Sequence, residues 1–204
     1  MYKHIIWDFD GTLFDTYPVT GIAFQMTLKE KGILESLDEI IKYMKISMSF
    51  ALQHYEKKYL IDDKFIEKYN KKRKDMEYEY CKPYKGIEHI CRFIYTSGKN
   101  NYLYTHRGDS SIKLLKSYNL YHYFTECITS VNGFDRKPSP NAINYLLEKY
   151  NILHNEAIMI GDRDLDILSA KNAGIHSCYF NERGEKNNIA DYSISNFEQL
   201  NTII

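Results

Sequence analysis

An alternation of short apolar runs with helical patterns, running from Pro83 to the end of the chain, most constrains how this protein can fold. Apolar residues at helical spacing predict helices at 87–98, after Asp109, at 142–150 and after Asp162, with a last short helix at 197–204. Apolar runs between them predict strands at 102–105, 127–131, 157–160 and 176–180. This order is typical of a parallel α/β sheet covered by helices on both faces.

The first 86 residues have a different organisation. A strand is predicted at His4–Asp10, whereas the stretch from Asp15 to about Lys82 contains helical patterns and no strand-like run. Pro83 and Gly86 punctuate its end. We therefore expect an α/β core made of residues 1–14 and 84–204, with a helical domain, residues 15–83, inserted after the first strand.

Composition argues against several classes of function. The chain has 27 basic and 27 acidic residues, so it lacks the basic footprint of nucleic-acid-binding proteins. No apolar run approaches the roughly 20 residues of a membrane helix, and we expect no signal peptide and no membrane partner. The four cysteines form no C-x-x-C pair and are interpreted as core thiols of a cytoplasmic protein.

Two acids stand at the end of the first predicted strand. Strand alternation would place Asp8 and Asp10 on the same face, where ligands bind in open α/β sheets. Two close carboxylates can serve as a nucleophile with a general acid, or as a metal site. Gly11 would let the backbone approach an anion. The alternative is a turn with two solvated acids.

Polar residues also follow the second predicted strand and precede a later helix. The hydroxyl of Thr105 and the amides after it could hold phosphate oxygens, or the segment could be a turn with a solvated Arg107. Lys137 could neutralise phosphoryl charge at a fixed position, although most lysines are simply solvated.

The fourth polar segment has three acids in five positions. Asp162, Asp164 and Asp166 lie where a strand passes into a helix. Helix capping and the helix dipole explain one acid at such a place, but not three. Oxygen ligands of this type suit a hard cation such as Mg²⁺.

Taken in order, the segments Asp8-x-Asp10-Gly-Thr, Thr105, Lys137-Pro and Gly161-Asp162-x-x-x-Asp166 resemble the motifs of the haloacid dehalogenase superfamily along the whole chain. The following Asp15-Thr16 and the segment around Ala170 are most similar to its phosphoglycolate phosphatase-like branch. The resemblance implies a Rossmann-like core with a helical cap, and a phosphatase of small phosphorylated metabolites.

The same resemblance implies roles for individual residues. Asp8 would be the nucleophile, Asp10 the general acid and base, and Lys137 the neutralising cation. Mg²⁺ would be held by Asp8, the Asp10 carbonyl, Asp162 and Asp166, and phosphate would be bound by Gly11, Thr12, Thr105, His106 and Lys137. Superfamily branches that cleave carbon–halogen or carbon–phosphorus bonds lack an acid at position 10, so Asp10 favours phosphoryl transfer.

Some sequence features leave the substrate open. Arg163 and the pair His106-Arg107 depart from the usual phosphoglycolate phosphatase pattern. A phosphomutase resembling β-phosphoglucomutase is an alternative, although Thr12 favours hydrolysis because those mutases often have Val there. A non-catalytic regulatory module is a third possibility, and the protein could be a monomer or a homodimer.

The helical insert offers one segment typical of a specificity site. Ser47, Ser49 and Phe50 mix hydroxyl and apolar groups, and they are either substrate contacts or an interhelical turn. The basic run 71–74 is interpreted as a solvated helix face.

Overall fold

The computed structural model describes residues 1–204, which form two compact units, Met1–Phe14 with Pro83–Ile204, and Asp15–Lys82. The first unit contains every strand: β1 His4–Trp7, β2 Asn100–Tyr104, β3 Phe124–Ile128, β4 Ala157–Gly161, β5 His176–Phe180 and β6 Tyr192–Ile194. The helices are α1 Tyr17–Glu30, α2 Leu37–Ile46, α3 Met48–Tyr59, α4 Asp63–Tyr80, α5 Ile87–Thr96, α6 Ser110–Ser117, α7 Asn141–Lys149 and α8 Asp164–Asn172. The predicted α/β class with a helical insert is confirmed.

The strands form one parallel sheet in the order β3-β2-β1-β4-β5-β6. His4 of β1 pairs with Asn100 of β2 on one side and with Ala157 of β4 on the other. The strand order changes direction between β1 and β4, which is the place where open α/β sheets bind ligands at the carboxyl ends of their strands.

Burial of the central strands on both faces explains their apolar sequences. Ile5, Ile6 and Trp7 of β1 are fully buried. Ile6 belongs to a core cluster with Tyr102 and Met159 of the neighbouring strands and with side chains of α7. The core therefore fixes where each strand ends, and the residues just beyond these ends form the candidate site.

The helical unit has its own core of aromatic residues. The ring of Phe24 in α1 lies 5.1 Å, centroid to centroid, from each of the rings of Tyr55, Phe65 and Tyr69. Edge-to-face contacts at this distance add to the stabilisation from burial. Part of the high tyrosine content is thus core material, as expected.

Two predicted strands have different limits in the structure. The first strand was expected to reach Asp10, but β1 ends at Trp7 because the carbonyl of Phe9 accepts the amides of Leu13 and Phe14 and forms a turn. The predicted limits Cys127–Val131 are also wrong, since β3 runs from Phe124 to Ile128. The Thr129 hydroxyl accepts the amide of Val131 and starts a 3₁₀ turn.

Other expectations differ in detail. The last helix is a 3₁₀ helix, Phe197–Thr202, and the short edge strand β6 was not predicted. The basic run 71–74 is only partly solvated: Lys72 pairs with Glu30 at 2.9 Å, and Arg73 pairs with the buried Glu77 at 3.2 Å.

The four cysteines are free thiols, and three of them, Cys81, Cys91 and Cys178, are buried. Burial raises the pKa of Cys178 to about 12, which keeps this thiol protonated. None of the helices combines the length and the apolar character needed to cross a lipid bilayer.

Candidate active site

A buried ion cluster lies at the carboxyl end of β1. The Lys137 ammonium lies 2.6 Å from Asp8 Oδ1, 2.8 Å from Asp166 Oδ1 and 2.8 Å from the carbonyl oxygen of Tyr104. The side chains of all three charged residues are at most 2% exposed. Lys137 is therefore not a solvated surface lysine, and its ammonium is held between two carboxylates and a strand-end carbonyl.

The carboxylates form a group suited to a cation. Asp8, Asp162 and Asp166 each offer an oxygen, and these oxygens all lie within 4.8 Å of one another. Oδ2 of Asp8 is buried and has no hydrogen-bond partner, which is costly unless another group contacts it. Three carboxylates whose oxygens converge are the ligands that a hard divalent ion prefers.

The electrostatics of the cluster follow from burial. Burial, followed by repulsion from Asp166, raises the pKa of Asp8 to about 6, while Lys137 and Arg163 oppose this rise. Burial alone would lower the pKa of Lys137, but the carboxylates of Asp166 and Asp8 outweigh it and raise the pKa. Lys137 is therefore a permanent cation, and Asp8 is largely ionised at neutral pH.

The start of α8 orients Asp166. Its Oδ2 accepts the amide of Arg163 at 3.1 Å, so the carboxylate caps the first turn of the helix and directs Oδ1 to Lys137. The Arg163 Nε lies 3.9 Å from both Asp162 Oδ1 and Asp166 Oδ2. The third acid of the predicted group, Asp164, is exposed and accepts a hydrogen bond from Asn187 at 2.6 Å.

Asp10 is held by a different partner from Asp8. The guanidinium of Arg107 contacts it with Nε at 3.1 Å from Oδ1 and 3.3 Å from Oδ2, and with a terminal nitrogen at 2.5 Å from Oδ1. The expectation that Arg107 is solvated is wrong, since its side chain is only 6% exposed. No local signal in the sequence distinguishes Arg107 from a solvated arginine, because its partner Asp10 lies 97 positions away.

The segment after β2 places Thr105 and His106 beside the cluster. Thr105 is buried, and its Oγ1 accepts the amide of Arg107 at 3.1 Å. His106 Nε2 accepts the amide of Lys137 at 2.7 Å, and its Nδ1 lies 3.4 Å from Arg136 Nε. Burial, with the nearby charges of Lys137 and Arg136, lowers the pKa of His106 to about 3 and keeps the ring neutral.

The turn at Gly11 and Thr12 is closed by its own hydrogen bonds. Gly11 has φ +75° and donates its amide to Phe14, and Thr12 donates its amide to Phe9. The hydroxyl of Thr12 is buried and has no partner. Gly11 thus serves the turn, while Thr12 retains one polar group for a ligand.

A cavity of about 250 Å³ lies beside Thr105 and His106, and its lining includes none of the carboxylates of the cluster. Thr105, His106 and Arg136 supply polar groups to its wall, and Phe134 supplies an aromatic face. This volume is below the usual range for drug-sized ligands. It suits a small molecule.

The segment 47–50, predicted as a possible specificity site, caps a helix in the structure. Ser47 ends α2 and begins α3, and its hydroxyl accepts the amide of Phe50 as an N-cap. Ser49 and the Phe50 side chain are exposed.

The chain is similar to known proteins over most of its length. Residues 5–180 match the haloacid dehalogenase-like hydrolase family. A phosphoglycolate phosphatase of Aquifex aeolicus is 30% identical over 83% of this chain and 80% of its own length. A putative pyrophosphatase PpaX of Clostridium perfringens is 28% identical over 87% of this chain and 83% of its own length.

A solved structure of a hydrolase from Streptococcus pneumoniae is also similar. It is 34% identical, covers 86% of this chain and 91% of its own, and has a TM-score of 0.66. The family match extends over β1 to β5 and therefore includes Asp8, Lys137 and Asp166. The chain belongs to the haloacid dehalogenase-like hydrolases.

Proposed function

We propose that this protein is a magnesium-dependent phosphatase of small phosphorylated metabolites that works through an aspartyl-phosphate at Asp8. The main support for the proposal is the difference in contacts between the two carboxylate oxygens of Asp8. One carboxylate oxygen is held by the Lys137 ammonium at 2.6 Å, and the other is buried without a partner. A fixed carboxylate with one uncommitted oxygen has the form of a nucleophile.

The first half of the reaction uses Asp8, Lys137 and Asp10. Oδ2 of Asp8 attacks the phosphorus of the substrate, the bond from phosphorus to the ester oxygen breaks, and Asp10 gives a proton to the leaving oxygen. Lys137 stabilises the charge that gathers near Asp8. Thr105 Oγ1 already accepts a hydrogen bond, so its hydroxyl proton can be donated to a phosphate oxygen.

The second half regenerates the enzyme. Water attacks the phosphorus of the aspartyl-phosphate, Asp10 takes the proton of that water, and the bond between phosphorus and the Asp8 oxygen breaks. Inorganic phosphate leaves, and Asp8 is again a carboxylate. Asp10 therefore acts as acid and then as base, which is worth on the order of 10²–10⁴ in rate.

Asp8, Asp162 and Asp166 would hold the metal ion, as their convergent oxygens support. When bound, Mg²⁺ supplies positive charge that lets an anionic carboxylate and an anionic phosphate approach each other. We assign Gly11, Thr12 and His106 to the lining of the phosphate site, together with the backbone carbonyl of Asp10 as a further metal ligand.

The substrate class is proposed from the relatives. The similar proteins named for phosphoglycolate and pyrophosphate hydrolysis point to small phosphorylated compounds. We name phosphoglycolate as the first substrate to test. The helical unit is proposed as a cap that selects the leaving group, with Ser47, Ser49 and Phe50 as candidates. The free thiols support a cytoplasmic location.

A screen of phosphorylated metabolites for phosphate release, with and without Mg²⁺, tests the proposal. We expect phosphate release from at least one small monoester, abolished in Asp8→Asn, with a phosphoenzyme trapped by acid in the unaltered protein. Release without a bisphosphate activator separates a phosphatase from a phosphomutase. Equal activity of Asp8→Asn and the unaltered protein would overturn the proposal.

A further inference from the structure

We propose that Arg107 is a positioning residue that holds the carboxylate of Asp10 in the orientation needed for proton transfer. The proposal rests on the function proposed above, because it assumes that Asp10 carries the proton. It assigns to Arg107 a part that its place in the sequence did not suggest.

The contact between the two side chains is a two-pronged ion pair. Nε of Arg107 reaches both carboxylate oxygens, at 3.1 and 3.3 Å, and a terminal nitrogen reaches Oδ1 at 2.5 Å. A planar guanidinium with several donors fixes both the position and the rotation of a carboxylate, which a lysine ammonium cannot do. The pair therefore determines where the Asp10 oxygens point.

The guanidinium is itself held from several sides. It lies over the ring of Phe9, 5.4 Å from the ring centroid, and donates to Ser110 Oγ at 3.3 Å. The backbone amide of Arg107 donates to Thr105 Oγ1. An arginine fixed by a ring, a hydroxyl and its own backbone is a rigid support and not a mobile surface group.

Asp10 needs such a support because its backbone lies beyond the end of β1. The strand stops at Trp7, and Gly11, which follows Asp10, has φ +75°. The Asp10 side chain is 29% exposed. The Asp8 side chain is 2% exposed and forms an ion pair with Lys137. The chain thus uses two cations, one for the nucleophile and one for the proton carrier.

The positioning bears on the second half-reaction, in which Asp10 acts as the base. The proton of the attacking water passes to an Asp10 oxygen while the bond between phosphorus and Asp8 breaks. A misplaced carboxylate slows this step even when the leaving group needs no proton. The rate of proton transfer falls steeply when the donor and acceptor atoms are no longer within hydrogen-bond distance. Loss of Arg107 should therefore cause the aspartyl-phosphate to accumulate.

The test compares Arg107→Met and Arg107→Lys with Arg92→Met, which removes an exposed arginine of α5 as a matched control. With p-nitrophenyl phosphate and Mg²⁺, we expect Arg107→Met to lower kcat roughly 10- to 100-fold, which is less than the factor of about 10²–10⁴ from complete acid–base catalysis because Asp10 is still present. The change in KM should be smaller. Acid-quenched protein should show a larger phosphorylated fraction by mass spectrometry. Arg107→Lys should recover part of kcat, and it provides a second variant if Arg107→Met does not fold.

A double-variant cycle separates positioning from direct substrate contact. If Arg107 acts through Asp10, adding Arg107→Met to Asp10→Asn should lower kcat no further. Additive losses, or a kcat of Arg107→Met equal to that of Arg92→Met, would overturn the inference and leave the phosphatase proposal intact. Failure of the unaltered protein to form a phosphoenzyme would instead remove the phosphatase proposal itself.

Discussion

Gly161 at the end of β4 lies directly against the side chain of Asp166, so that a β-carbon added to Gly161 would stand 2.2 Å from the β-carbon of Asp166 and 2.6 Å from its Oδ2. No side chain can be accommodated there unless Asp166 moves. The carboxylate that contacts Lys137 therefore owes its position to the absence of a side chain on the preceding strand.

Gly161→Ala should displace Asp166 and disturb the site. Forcing a methyl group into this contact should lower the free energy of unfolding by about 1–3 kcal/mol and reduce phosphatase activity. Urea unfolding and turnover of the substrate found in the screen measure both effects. Gly184→Ala is the control, because it also adds a methyl group but into open space at φ +76°. It should cost about 1 kcal/mol from backbone strain and leave activity unchanged.

Magnesium should stabilise the folded protein through Asp162 and not through Asp164. Because a ligand that binds the folded state raises its stability by mass action, 10 mM Mg²⁺ should add about 1–3 kcal/mol in the unaltered protein. Asp162→Asn should lose this gain. Asp164 is an exposed neighbour that accepts a hydrogen bond from Asn187, so Asp164→Asn should retain the stabilisation by Mg²⁺. Equal magnesium-dependent shifts in melting temperature for the two variants would contradict the assigned ligands.

His106 should make the metal-free protein sensitive to acid. Its pKa is lowered to about 3 in the folded state, against about 6.5 in the unfolded chain. The unfolded state therefore binds the proton first as the pH falls, and this contribution to stability is complete above pH 6.5 and is lost toward pH 3. From pH 6.5 to 4.5 the ceiling is about 2.7 kcal/mol, which partial exposure reduces to about 1 kcal/mol.

His106→Gln provides the comparison, because the Gln side-chain carbonyl can reach the position of Nε2 and still accept the amide of Lys137. Urea unfolding in a chelator at pH 7.5 and pH 4.5 should show a smaller loss of stability in the variant than in the unaltered protein. Identical losses would mean that His106 is not buried as a neutral ring.

Lys137→Met should leave two buried carboxylates without their shared cation. Removing one partner of a buried ion cluster costs about 3–5 kcal/mol, and the loss should be largest near pH 8. At pH 5 it should shrink, since Asp8, whose pKa is already raised to about 6, is protonated there. Chelator-treated protein unfolded in urea at both pH values measures this dependence.

Lys171→Met, an exposed lysine of α8, is the matched control and should change stability by no more than about 0.5 kcal/mol. A pH-independent loss in Lys137→Met would show that the two carboxylates do not depend on the ammonium.

The kind and order of most elements could be predicted from the sequence pattern, because strands buried on both faces are short continuous apolar runs and helices bury a residue about every 3.6 positions. The strand His176–Phe180 and the helix that ends before Gly174 were predicted correctly. The end of β3 could not be predicted, because Ile128 and Val131 are both β-branched and only the turn begun by Thr129 separates a buried residue from an exposed one.

The sequence by itself determined the parallel α/β fold, the helical insert and four polar segments near the strand ends, since these depend on local patterns. Only the tertiary structure decided which side chains meet: Lys137 with Asp8 across 129 positions, and Arg107 with Asp10 across 97. The physical reason is that such contacts depend on where distant strands and loops end in space. The sequence around a buried arginine that pairs with a distant carboxylate does not differ from the sequence around a solvated one.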